Sequence, residues 1–245
     1  MRNYEKETQE RVAYIRRQLE QAHCRGIVFG NSGGKDSALV GILCRMACED
    51  VLGVMMPCHS QRNFGEDMQD AQALAQQYGI QTQVVDLTPV RQALLDAVSP
   101  IQTLTDPAVA NIAPRLRMTT LYSIAQSRSA LVAGTGNRSE RYMGYFTKWG
   151  DGAFDLNPIA DLTVTEIYEF LRYLKAPENI ITKAPSAGLF EGQTDEAEMG
   201  VTYEAIDRFL FTGEADPKDQ AVIERAHRIS QHKRRMASVY PDQEV

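Results

Sequence analysis

The chain has 245 residues, 43% of them hydrophobic and 24% charged, which is enough for one large core or two small ones. A net charge of -6 and a pI near 5.3 exclude the overall basic excess of a nucleic-acid binder, so an anionic ligand would have to meet a local cluster of Lys and Arg. The longest apolar stretches fall short of the roughly 20 residues of a membrane helix, and the N-terminus is charged, which reads as a cytoplasmic chain.

Residues 3–24 place Tyr4, Val12, Ile15, Leu19 and Ala22 among charges, the pattern of an amphipathic helix. The chain then alternates. GIVFG (26–30), VLGVMMP (51–57), TQVVDL (82–87) and SALVAGTG (129–136) read as strands. DSALVGILCRMAC (36–48), GEDMQDAQALAQQYG (65–79), PVRQALLDAV (89–98) and a long stretch around 113–128 read as helices. Such alternation predicts an α/β fold, a doubly wound parallel sheet with helices on both faces, in a single domain spanning 1–245. Beyond Gly136 comes a loop rich in Gly, Asp and aromatics, then a helix at 163–174, a polar loop at about 183–199, and two closing helices, TYEAIDRFLF and the basic AVIERAHRISQHKRRM. Cys24, Cys44, Cys48 and Cys58 form no paired CxxC framework and read as buried free thiols.

The richest stretch lies between the first strand and its helix. In SGGKDS (32–37), Gly33 and Gly34 allow a sharp turn and close approach to a ligand, and Ser32 and Ser37 offer hydroxyls to phosphate oxygens. Asp36 would repel a phosphate unless a divalent cation lay between them, so its presence predicts magnesium; the competing reading is that Asp36 caps the helix.

This stretch resembles the SGGxDS pyrophosphate loop of the ATP pyrophosphatases and does not fit the P-loop pattern GxxxxGK[ST]. Together with NIAPRLRM (111–118), GTGNRSE (134–140), YFTKWGDGAFDLNPIADL (145–162), KAPSAGLFEGQTDEAEMGVTYEAID (183–207) and HKR (232–234), it resembles NAD synthetase, in order, over nearly the whole chain. The resemblance implies a Rossmann-like, adenine nucleotide alpha hydrolase-like fold and an enzyme that amidates nicotinic acid adenine dinucleotide in two steps. The carboxylate attacks the ATP α-phosphate, releasing pyrophosphate, and ammonia then displaces AMP. The length leaves no room for a glutamine-hydrolysing domain, which suggests the ammonia-using form.

By motif position the resemblance puts Gly30, Ser32, Gly33, Gly34, Ser37, Arg117, Thr135, Lys183 and Thr194 on ATP, and Asp36 with Glu140 on Mg2+. It puts Arg115, Tyr145, Phe146, Lys148, Asp151, His232 and Lys233 on the dinucleotide, with Asp151, Lys148 and Lys183 closest to the chemistry. Asp151 would favour ammonium and serve as a base. Arg115, Arg117, Lys148, Lys183, Lys233 and Arg234 are the local cations that two polyanionic substrates require. Simpler alternatives stay open: Glu140 as a solvated acid, the arginines as surface partners, Tyr145, Phe146 and Trp149 as a local minicore, and HKRR as the basic end of a helix.

Residues 188–200 suggest a lid over the adenylate. The family also implies a homodimer with the dinucleotide site at its interface, for which Leu121, Tyr122, Ile124 and Ala125 on the long helix are candidates, and the N-terminal helix near Tyr14 is the candidate for substrate contacts contributed by the second chain. Lys35 departs from the pattern, because a neutral residue is expected there; the departure keeps open a sister ATP pyrophosphatase, alongside a non-catalytic nucleotide binder.

Overall fold

The computed structural model describes residues 2–59, 65–183 and 194–240. Four short strands, β1 (Gly26–Gly30), β2 (Asp50–Met55), β3 (Gln81–Val84) and β4 (Ala130–Ala133), form a fully parallel sheet in the order β3-β2-β1-β4. The chain builds outward from β1 through β2 to β3, then returns to the opposite flank of β1. The order therefore reverses between β1 and β4, where a parallel sheet opens a crevice at its carboxyl edge.

Strand alternation sorts the core onto two faces. Ile27 and Phe29 pack on one side with Leu39, Ile42 and Leu43 of helix α2 (Lys35–Ala47), Ile15 of α1 (Tyr4–Gln21), and Ile167 and Phe170 further along the chain. Val28 points the other way, with Leu52 and Val54, onto Ala113 and Ala125 of the long helix. Among the described residues the remaining helices are, in chain order, α3 (Glu66–Tyr78), α4 (Thr88–Val98), α5 (Asp106–Ala110), the long α6 (Ile112–Arg128), α7 (Arg138–Met143), α8 (Val164–Tyr173), α9 (Glu178–Thr182), α10 (Asp195–Met199), α11 (Tyr203–Thr212) and α12 (Pro217–Ile229). A third cluster, built on Val164, Tyr203, Ile206 and Ile223, joins α8, α11 and α12. A 3-10 turn, Gln231–Lys233, follows α12.

Two polar assemblies fasten these layers. Arg11 is buried and reaches the carboxylates of Glu7 and Asp161 and the carbonyl of Pro158, tying α1 to the segment before α8. Buried Asp207 on α11 accepts from the Ser139 hydroxyl and from both the amide and hydroxyl of Thr165, so it joins α7, α8 and α11.

Several expected boundaries shift. The strand expected at 129–136 pairs only over Ala130–Ala133, and its glycines leave the sheet as a loop; β3 likewise stops at Val84. The loop after Gly136 contains α7, and the polar loop at 183–199 contains α10. Residues 188–193 of the expected lid lie outside the described residues. All four cysteines are free, but only Cys44 and Cys58 are buried; Cys24 and Cys48 are half-buried. Among the described residues no helix is long and apolar enough to cross a membrane.

Candidate active site

β1 and β4 end side by side, and the loops that leave them line a cavity of about 740 Å3. The first loop, Asn31–Gly34, turns through Gly33 at φ +73°, a left-handed conformation natural only to glycine. A Cβ on Gly33 would lie 2.1 Å from the carbonyl oxygen of Asp67, so no side chain fits. Ser32 Oγ and Ser37 Oγ lie 3.1 Å apart; the first accepts from the Gly34 amide and the second donates to the Gly34 carbonyl. No side chain caps α2, whose first turn begins at the cavity with its amide dipoles oriented to favour an anion.

Asp36 does not cap α2. Its Oδ2 accepts from Lys35 Nζ at 2.7 Å and its Oδ1 from Asn137 Nδ2 at 3.1 Å. Asn137 also forms a reciprocal capping box at the start of α7: its Oδ1 accepts from the Glu140 amide, and Glu140 Oε2 accepts from the Asn137 amide. One fully buried asparagine thus bonds to both candidate metal carboxylates. Burial, with Asp36 close by, pushes the Glu140 carboxyl well above its ordinary value, against the opposing pull of Lys35.

The second loop brings Thr135 to the same cavity, and the segment after α7 adds Tyr145, Phe146 and Asp151. Asp151 accepts from the Thr147 amide at 2.9 Å, and burial raises its carboxyl above the usual range despite that bond. Lys233 lines the cavity too, its Nζ donating to the carbonyls of Gly144 and Phe146, and burial lowers its ammonium pKa. Arg117 donates to the Met56 carbonyl, and burial lowers its pKa as well. Lys183 lines the cavity with its ammonium held between Asp67 at 2.7 Å and Asp70 at 2.6 Å.

Gly30, Ser32, Gly34, Asp36, Arg117, Thr135, Glu140, Tyr145, Phe146, Asp151, Lys183 and Lys233 therefore share one cavity, and Ser37 joins its neighbouring recess. Arg115, Lys148, His232 and Thr194 do not line it. Lys148 donates to the His232 carbonyl and stacks over an outward-turned Trp149, while Arg115 reaches the Lys148 carbonyl from an exposed position. Thr194 caps α10. Arg234 donates to carbonyls of Arg141, Tyr142 and His227, which fits the end-of-helix reading better than a phosphate contact.

The sequence did not flag several parts of the wall. Met56, Met118 and Leu121 give one side an apolar face, suited to a flat base, and Asp67, Tyr168 and Asp195 border the acidic side. Asn137 had a readable signal in its Asn-x-x-Glu spacing; the others are brought in by distant elements.

A parallel sheet with a glycine-built anion loop and two joined carboxylates at its switch point defines a nucleotide-binding α/β protein. The chain belongs to the NAD synthase family, whose profile matches residues 7–244. It is 49% identical over 241 residues to the NH(3)-dependent NAD(+) synthetase of Carboxydothermus hydrogenoformans, covering 97% of this chain and 98% of that one. Among solved structures it superimposes with a TM-score of 0.93 on NMN synthetase from Francisella tularensis, at 37% identity over 98% of this chain and 100% of that one. It also superimposes, with a TM-score of 0.78, on the NH3-dependent NAD synthetase from Campylobacter jejuni in complex with the nitrate ion, at 30% identity over 98% and 99% of the two chains.

Proposed function

We propose that this protein amidates nicotinic acid adenine dinucleotide with ammonia, driven by cleavage of ATP to AMP and pyrophosphate. The observation that carries this reading is the meeting, in one cavity, of the Ser32–Asp36 turn, the two carboxylates of Asp36 and Glu140 that Asn137 joins, and the Tyr145–Asp151 segment.

In this reading the apolar face of Met56, Met118 and Leu121 takes the adenine, and the turn at Gly33 and Gly34 takes the phosphates. Ser32, Ser37 and Thr135 add hydroxyl donors, and Arg117 and Lys183 add positive charge. Two hard oxygen donors joined at the loop fit Mg2+, which takes one or two carboxylates and completes its shell with phosphates and water. The chemistry such an ion supplies is neutralisation of phosphate charge as pyrophosphate leaves.

Phe146 and Tyr145 hold the nicotinate ring so that its carboxylate faces the α-phosphate. Lys233 offsets the negative charge of the acceptor. Asp151 attracts ammonium and accepts its proton; the raised carboxyl pKa strengthens it as a base. Ammonia then attacks the acyl carbon, and AMP departs with the original carboxylate oxygen. Arg115, Lys148 and His232 belong to this scheme at the outer rim, where a long dinucleotide would extend. Thr194 belongs to closure from α10.

A homodimer fits the exposed apolar side chains of Val84 on β3, Val90 and Leu94 on α4 and Ile101 just beyond it, with α4 burying none of its residues. Ala125 lies in the chain's own core and Leu121, Tyr122 and Ile124 pack partly against it, so the proposed interface runs along α4 more than along those residues of α6.

A second reading is favoured by the 0.93 superposition on an NMN synthetase: the acceptor is the nicotinate mononucleotide, and ATP and ammonia are used identically. Amide formation from the two acceptors in competition, with ATP, magnesium and ammonium chloride, decides between them. A higher kcat/KM for the dinucleotide supports the first reading, and a higher value for the mononucleotide replaces it with the second. Pyrophosphate release with neither acceptor would refute both.

A further inference from the structure

Lys35 is 6% exposed although it opens α2 beside a solvent-accessible turn, where a lysine side chain ordinarily extends into water. It is also the wrong charge for that place, because the positive end of a helix dipole disfavours an ammonium in the first turn. The side chain folds back into the acidic recess instead. Its Nζ bonds Asp36 Oδ2 at 2.7 Å and sits 5.5 Å from the centre of the Tyr203 ring, while Asn137 takes the other Asp36 oxygen. Both oxygens of Asp36 are thus occupied by donors, and Glu140 Oε2 accepts from the Asn137 amide.

Resting on the assignment of Asp36 and Glu140 as metal ligands, we propose that Lys35 is the resident counter-ion of this pair and keeps a divalent ion off the free protein, so that the ion enters with the nucleotide phosphates. An ion approaching Asp36 alone must displace the ammonium from Oδ2 and then tolerate its charge nearby. A nucleotide changes that balance. Its phosphates bring negative charge to the ion and give Nζ a new acceptor close to where it already lies.

Manganese(II), titrated by electron paramagnetic resonance, tests this without turnover. Lys35→Met and Lys35→Gln are expected to bind Mn(II) roughly ten-fold more tightly than the parent protein in the absence of nucleotide, while Lys35→Arg behaves as the parent. Lys35→Gln preserves the test should Lys35→Met fail to fold. An unchanged Mn(II) affinity in a folded charge-removing variant overturns the proposal. Asp36→Asn separates the two layers of inference: it should abolish Mn(II) binding in the presence of a non-cleavable ATP analogue, and if it does not, the metal-site assignment itself fails.

Discussion

Asn137 Nδ2 donates to Asp36 Oδ1 across 3.1 Å, joining residues 101 positions apart at the ends of β1 and β4. The same asparagine caps α7 and thereby aims Glu140, so the separation of the two acids is fixed by a buried side chain with no charge of its own. Asn137→Ser tests that arrangement. Serine keeps a capping oxygen, so thermal stability should fall by only about 1 kcal/mol, whereas loss of the bond to Asp36 should lower kcat/KM for ATP by roughly 10-fold to 100-fold. A fall in stability with unchanged ATP kinetics would reduce Asn137 to a cap.

Gly33 and Gly34 differ in what they allow. Gly33→Ala forces a strained φ and a contact 2.1 Å from a backbone oxygen, so it should cost about 1–3 kcal/mol and raise KM for ATP strongly. Gly34 has φ -91° and would place a Cβ 3.3 Å from Ser32 Oγ, so Gly34→Ala should fold with near-parental stability. Denaturant titration of both variants checks the contrast.

Glu140 makes a prediction about pH. Its folded-state pKa is raised, so the folded protein holds that proton more tightly than the unfolded chain. The resulting stability is full below the ordinary carboxylate value of 4.5 and is lost as pH rises through the higher folded value. Glu140→Gln keeps the capping geometry and removes the titration, so the ligand-free variant should lose less stability on going from acid to neutral pH than the parent. Equal slopes in the two proteins would show that Glu140 does not titrate anomalously.

Asp207 provides the contrast of a buried acid that holds structure and not substrate. Asp207→Ala leaves the donors of Ser139 and Thr165 without their acceptor and should cost about 2–4 kcal/mol. The fraction that folds should retain near-parental KM values, because Asp207 does not line the cavity. A selective loss of ATP affinity would place α11 in the mechanism.

Much of this architecture was legible because its signals are local. Apolar runs ending in Gly-Gly gave β1 and the turn, and 3.6-residue periodicity gave α1, α2, α3 and α6. Helices α5, α7 and α9 escaped because five or six residues are too few to establish a period. The inward fold of Lys35, the Asp67 and Asp70 clamp on Lys183, and the apolar face of Met56, Met118 and Leu121 depend on elements far apart in sequence. The outward placement of Lys148 and Trp149 was equally hidden, since it follows from the positive φ of Trp149 and the docking of the 3-10 turn that carries His232.

In the proposed reaction a nicotinate carboxylate in this cavity attacks the α-phosphate of ATP. The most direct measurement follows heavy oxygen from a labelled carboxylate during amide formation, with mass spectrometry of AMP and pyrophosphate. A single labelled oxygen is expected in AMP, with no label in pyrophosphate and the reaction lost in Asp36→Ala. Unlabelled AMP alongside amide product, or label appearing in inorganic phosphate with ADP formed, would contradict it.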